Sequence, residues 1–191
     1  MLDFKPFILP EEPVPPFAIA CQQCELSKQR HRVIWGEGNP NAPVFILLDN
    51  PGSREDREGQ PFVCGTRETL QYGMREAGLD IDSVYVSYLL KCRPIRAYNK
   101  PLAREACFSH LQLQLKEKRP DVLFALGNVV VQTLFPDQEA DVKSYRGKWH
   151  TFQEMPIAVS YHPLAVRRRP VLMKYFVEDI KFVAEKIKDM I

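Results

Sequence analysis

With 191 residues, 45% of them hydrophobic, 26% charged and 10% aromatic, the chain has the composition of an ordinary globule, long enough to hide roughly 70% of its unfolded surface in one core. Twenty-six basic against twenty-four acidic side chains leave a net charge of +2, so any affinity for nucleic acid has to come from local clustering and not from a global field. No apolar run approaches a bilayer span, and residues 1–16 form a proline-rich arm carrying Glu11 and Glu12 where a secretory leader would need a basic start and an apolar stretch, so a cytoplasmic protein of one domain, residues 1–191, is expected.

After the arm, residues 43–48 (Pro-Val-Phe-Ile-Leu-Leu) are a short apolar run that stops at Asp49-Asn50-Pro51-Gly52, which predicts a strand ending in a turn. Residues 83–90, 121–127 and 156–160 repeat this near-continuous apolar character, as strands of a parallel sheet covered on both faces do. Helical patterns separate them. Residues 66–77 end at Gly78, residues 102–118 stop before Pro120, and residues 128–135 stop before Pro136. The last segment puts Leu172, Tyr175, Phe176, Val183 and Ile187 on one stripe, which predicts a packed terminal helix. Alternating strand and helix imply an α/β fold, a three-layer α/β/α sandwich around a mainly parallel four-stranded sheet.

In such sheets ligands bind where loops leave the carboxyl ends of the strands. That rule singles out residues 49–52, 88–92, 127–128 and 161–164.

Five cysteines are present, and four form a pattern: Cys21-Gln-Gln-Cys24, then Cys92 within Lys91-Cys92-Arg93-Pro94, then Cys107 after a gap of fourteen residues. In a cytoplasmic chain this reads as four thiolates around one metal centre, either zinc or an iron-sulfur cluster. Only the first pair is a zinc-type knuckle, which leans toward the cluster. Cys64, between Val63 and Gly65, reads as a small buried hydrophobe.

The order of these pieces resembles the uracil-DNA glycosylase superfamily, specifically its iron-sulfur branch, family four. The likeness is carried by Cys21-x-x-Cys24-x-Leu26, Gly36-Glu37-Gly38, Pro51-Gly52-x-x-Glu55-Asp56, Gly59-Gln-Pro-Phe-Val63, Val84-Tyr85, Lys91-Cys92-Arg93-Pro94, Cys107, Ala125-Leu126-Gly127, Arg146-Gly147 and His162-Pro163, collinear over about nine tenths of the chain. The resemblance implies a [4Fe-4S] cluster held by Cys21, Cys24, Cys92 and Cys107 in a structural role. It also implies a monofunctional hydrolase that flips a nucleotide out of DNA and cuts the bond between base and deoxyribose. Its partner is then DNA containing the target base, with no membrane, no nucleotide cofactor and a monomeric state expected.

The resemblance assigns His162 as the donor to the oxygen where negative charge develops on the departing base. At the first motif the family has Gly-Glu-Ala-Pro-Gly, whereas this chain has Leu48-Asp49-Asn50-Pro51-Gly52. Asp49 takes the glutamate position as the water-activating carboxylate. Asn50, similar to the asparagine of the mismatch-specific and single-strand-selective branches, orients water or sugar, although a plain turn role would also satisfy it. Phe62 matches the aromatic platform beneath the flipped base. Tyr88 stands where the family has the asparagine that reads uracil, so a planar amide pair is replaced by a phenol. Gly52 stands where family one has a tyrosine that excludes groups at pyrimidine C5, which leaves that wall open. These two departures motivate a substrate other than uracil, for example a cytosine carrying hydroxymethyl or a sugar at C5, as in phage DNA, and a role in antiviral defence. The alternatives are an ordinary uracil-DNA glycosylase of base-excision repair or a non-catalytic DNA-binding relative. Arg167, Arg168 and Arg169, just beyond His162, are expected at DNA phosphates, although a charge run more often marks a solvated face.

Overall fold

The computed structural model describes residues 4–58, 64–137 and 139–190. Its centre is a sheet whose strands, among the described residues, are β1 (Glu37–Gly38), β2 (Val44–Leu48), β3 (Val84–Tyr88), β4 (Val122–Leu126), β5 (His150–Phe152) and β6 (Met155–Ser160), in the spatial order β1-β3-β2-β4-β6-β5. The four strands expected from the apolar runs are β2, β3, β4 and β6, and they pair in parallel. The sheet is nevertheless six-stranded and mixed, because β1 and β5 add antiparallel edges. Two- and three-residue edge strands carry no apolar run, so periodicity does not reveal them.

The pleat sorts the side chains. Val44, Ile46 and Leu48 of β2 face one core with Val84, Val86 and Tyr88 of β3, while Phe45 and Leu47 face the other. The first core is closed by helices α3 (Gly65–Ala77) and α8 (Met173–Lys188), through Leu70, Met74, Phe176, Ile180 and Val183. The second is closed by α4 (Lys100–Lys118), α5 (Asn128–Leu134) and α6 (Val142–Tyr145), through Leu111, Leu115, Val130, Val131 and Val142. The chain is therefore an α/β/α sandwich.

Helix ends follow the local signals. α3 stops on Gly78 in the left-handed region (φ 70°), and α4 starts where Asn99 Oδ1 accepts the Leu102 N–H at 3.1 Å. α5 ends at Leu134, one residue before its expected limit. Four short helices have no periodic signature: α1 (Pro16–Ile19), α2 (Ser53–Glu58), α6 and α7 (Pro163–Arg168). The proline-rich arm is bound to the sheet edge. Gly38 N–H donates to the Pro10 carbonyl at 2.9 Å, the Glu12 carboxylate meets Lys118 Nζ at 2.7 Å, and the Tyr85 hydroxyl donates to the same carboxylate. Lys118, which reads as a solvated residue at a helix end, is thereby buried.

Candidate active site

Leu48 of β2 and Tyr88 of β3 are register partners, so the chain leaves both strands side by side. β2 sits between β3 and β4, so successive crossovers pass to opposite sides of it. That is a topological switch point, where an open α/β sheet presents its crevice. Asp49 and Asn50 begin there. His162 leaves β6, two strands away across β4, and closes the gap over the end of β4, where Gly127 sits. A Cβ on Gly127 would lie 3.0 Å from His162 Cβ, and its φ of 97° is one that side chains rarely adopt, so glycine is what lets the imidazole cross.

The imidazole then meets the carboxylate, with His162 Nε2 3.2 Å from Asp49 Oδ1. The other ring nitrogen is committed: His162 is the N-cap of α7, and its Nδ1 accepts the backbone N–H of Leu164 at 3.0 Å. An acceptor carries no proton, so Nδ1 is bare and Nε2 carries the hydrogen. In this geometry the ring has one N–H, aimed at Asp49. Burial pushes the Asp49 carboxyl up, but the hydrogen bond from His162, together with the Asn50 backbone N–H at 2.8 Å, outweighs it and holds the group below the usual carboxylate range. Asn50 turns its amide onto the Pro51 carbonyl at 3.0 Å, the turn geometry its sequence permits.

Asp49, Asn50, Gly52, Tyr88 and His162 line one cavity of about 310 Å³, together with Glu55, Cys64, Arg67 and Leu164. That is the lower end of ligand-pocket sizes. Of the anticipated residues, Phe62 lies outside the described residues. Gly52 does face the cavity, yet its wall is not simply open: an added Cβ would stand 2.8 Å from Glu55 Oε2. Cys64 is no core filler either, since its Sγ donates to Glu55 Oε1 at 3.4 Å from the cavity wall.

A buried charge network underlies Tyr88. Arg67 Nη2 donates to the Tyr88 hydroxyl at 3.1 Å, its Nε is paired with Glu37, and its Nη1 is 3.9 Å from Glu55. Burial opposes the Arg67 charge, but Tyr88, Glu37 and Glu55 outweigh it and raise its pKa. Burial also pushes the Tyr88 phenol up, against the opposing pull of Arg67, so it stays a neutral hydroxyl. For Glu37, burial is the largest effect and raises the carboxyl to about 7. No sequence motif marks Arg67, and its one local signal is that with Leu70 and Met74 it follows i, i+3, i+7, the buried stripe of α3.

Of the three arginines beyond His162-Pro163, Arg167 lies against α3, 3.7 Å from Glu68 and 3.5 Å from the Gly65 carbonyl. Arg168 and Arg169 are exposed.

The four patterned cysteines also converge. Cys21, Cys24, Cys92 and Cys107 line one hollow with Arg30, Lys91 and His110. Donors are aimed at the sulfurs: Arg30 Nη1 at Cys92 (3.5 Å), the Lys91 backbone N–H at Cys107 (3.3 Å), and His110 Nε2 lies 3.5 Å from Cys21. Burial pushes the Cys92 thiol up to about 12 and raises Cys107 as well, so without a cation both stay protonated. Among the described residues no three His, Cys, Asp or Glu side chains converge on the point a single ion would occupy.

Residues 35–183 match the uracil DNA glycosylase superfamily. The chain belongs to that superfamily and so to the DNA glycosylases, hydrolases of the bond between base and sugar. Within it the chain is similar to the type-4 uracil-DNA glycosylases of Archaeoglobus fulgidus (30% identical, covering 87% of this chain and 88% of the relative) and Saccharolobus solfataricus (32%, covering 87% and 82%). The same holds for the type-4 enzyme of Thermotoga maritima (30%, covering 88% and 90%).

The depressed Asp49 pKa carries a testable sign. A carboxyl whose folded pKa lies below its unfolded value stabilises the fold above that unfolded value, about pH 4, and loses the contribution as pH falls through the folded pKa. The stability gap between the native chain and Asp49→Asn, measured by urea unfolding, is expected to be constant from about pH 5 to 7 and to narrow below about pH 4.

Proposed function

We propose that the chain removes a flipped-out pyrimidine from DNA, with Asp49, Asn50 and His162 as the reacting groups. The observation that carries this reading is the Asp49–His162 contact inside a cavity of about 310 Å³ at the sheet's switch point. When a base enters, the Nε2–H of His162 exchanges Asp49 for the base oxygen O2, where negative charge grows as the bond to the sugar breaks. A neutral imidazole fixed by its Nδ1 cap is preorganised for that task. Asp49, released from the imidazole, faces the positive charge developing on the sugar and takes the proton of the attacking water, which Asn50 orients.

Uracil is what the type-4 relatives act on by name. The floor of this pocket favours a wider range. Because Arg67 donates to the Tyr88 oxygen, the phenol proton is free to donate into the cavity, which offers a single donor in place of the two-way hydrogen bonding of an amide. We read this as a site for a pyrimidine bearing a C5 substituent, a modified cytosine among them, with Glu55 beside Gly52 as an acceptor for a hydroxyl carried there. Excision of such bases would leave a modified phage genome abasic, a defensive use of the same chemistry. Phe62 is retained as the stacking platform and Arg167 to Arg169 as phosphate contacts.

The thiols of Cys21, Cys24, Cys92 and Cys107 fit a [4Fe-4S] cluster. Four sulfurs ring one hollow with donors directed at them, and only Cys21 and Cys24 have the close sequence spacing of a zinc knuckle. Bound, the cluster would supply a cross-link between the N-terminal segment, the loop after β3 and α4, with no step of the reaction passing through it.

Two experiments test this reading. Purified protein is incubated with oligonucleotides carrying uracil, thymine opposite guanine, hypoxanthine or C5-modified cytosines, and abasic sites are cleaved with alkali. Breaks at a C5-modified cytosine are expected. His162→Gln and Asp49→Ala should each lower single-turnover release by about 10² to 10³, and Tyr88→Asn should shift preference toward uracil. Breaks at uracil alone would return the chain to ordinary base-excision repair, and none with any base would make it a binding protein. For the metal, fresh protein should be brown with a broad absorption band near the blue edge that Cys107→Ser abolishes, whereas a colourless sample with stoichiometric zinc would contradict the cluster.

A further inference from the structure

A second cavity, of about 160 Å³, shares Asp49 and Asn50 with the base pocket but opens on their other side, toward Tyr98, Lys100 and Arg104. Its donors are unspent. Arg104 Nε is buried with no hydrogen-bond partner among the described residues, and Lys100 is exposed at the start of α4. A buried guanidinium nitrogen with no protein acceptor is a cost that folded chains avoid unless an ordered water or a ligand meets it. Two cations in the first two turns of a helix also oppose its dipole, a conflict that a bound anion removes. Asp49 is the one acid on this lining, set against the two positive charges of Lys100 and Arg104, and its Oδ1 also accepts the Asn50 N–H. Tyr98 adds a hydroxyl, and burial pushes its pKa up, so it remains a donor.

We propose that Lys100, Arg104 and Tyr98 form a phosphate-binding pocket that grips one backbone phosphodiester beside the flipped nucleotide. Its position is dictated by the shared wall: an anion there lies one residue's width from the reacting groups, where the DNA backbone has to pass if its base enters the neighbouring cavity. Arg104 stands one helical turn before Cys107 on α4, so the cysteine hollow and the phosphate pocket are fixed by the same turns. The inference rests on the glycosylase reading and has its own readout.

The test measures binding by fluorescence anisotropy of duplexes containing a stable abasic-site analogue, for the native chain, Arg104→Ala, Arg104→Lys and Lys100→Ala. Arg104→Ala is expected to bind several-fold to tenfold more weakly, with a salt slope smaller by about 0.9, the loss of one phosphate contact, and Arg104→Lys to recover part of both. Replacing flanking phosphates one at a time with neutral methylphosphonate should reveal one position that weakens the native chain and leaves Arg104→Ala unchanged. Equal losses for both proteins at every position overturn the proposal. So does a thermal shift with millimolar inorganic phosphate that needs Arg104 while no methylphosphonate position matters, since the pocket then holds a free anion. Lys100→Ala, altered at an exposed site, repeats the comparison should Arg104→Ala fail to fold. Failure of the native chain to prefer abasic over intact duplex would strike the glycosylase reading instead.

Discussion

The contact between His162 and Asp49 joins residues from two strands that are not neighbours, and much of the local sequence exists to permit it. Gly127 clears the path over the end of β4, the parallel register sets β2 and β3 level at Leu48 and Tyr88, and α7 begins directly after the histidine so that its first turn can claim Nδ1. The capping bond does more than close a six-residue helix. By occupying one ring nitrogen it selects the tautomer, and the tautomer decides that the ring gives a hydrogen bond at the site instead of taking one. Local backbone geometry and the proposed chemistry therefore meet in one ring, at its two nitrogens.

Around that contact the molecule divides its charges by depth. Asp49 and His162 stand half-buried at the mouth of the sheet, while beneath them Arg67 binds Tyr88, Glu37 and Glu55 in a layer where burial costs are offset only by mutual pairing. Such a floor is rigid. It holds the phenol of Tyr88 at the cavity and ties β1, α2 and α3 together behind it. On the other side of Asp49 a smaller cavity borders the start of α4, the helix that also carries Cys107 into the cysteine hollow.

The central strands were readable from sequence because fully covered parallel strands are continuous apolar runs, as residues 44–48 and 122–126 are. The carboxyl-end rule then located Asp49 and His162 without reference to their partners. What escaped was whatever depends on a contact made far away in the chain. Arg67 reads as a surface charge until Glu37, thirty residues earlier, is known to be opposite. Lys118 reads as a solvated helix end until Glu12 arrives with the arm. Edge strands of two or three residues gain their identity only from the neighbour they pair with, and α7 from a histidine whose capping role no helix pattern announces.

Nitrogen-15 NMR of the His162 ring in the free protein near neutral pH tests the account at its centre. A neutral imidazole with its hydrogen on Nε2 and a bare Nδ1 is expected, with the Nε2–H signal changing when Asp49 is replaced by asparagine. A ring protonated at both nitrogens, or one carrying its hydrogen on Nδ1, would contradict the proposed chemistry.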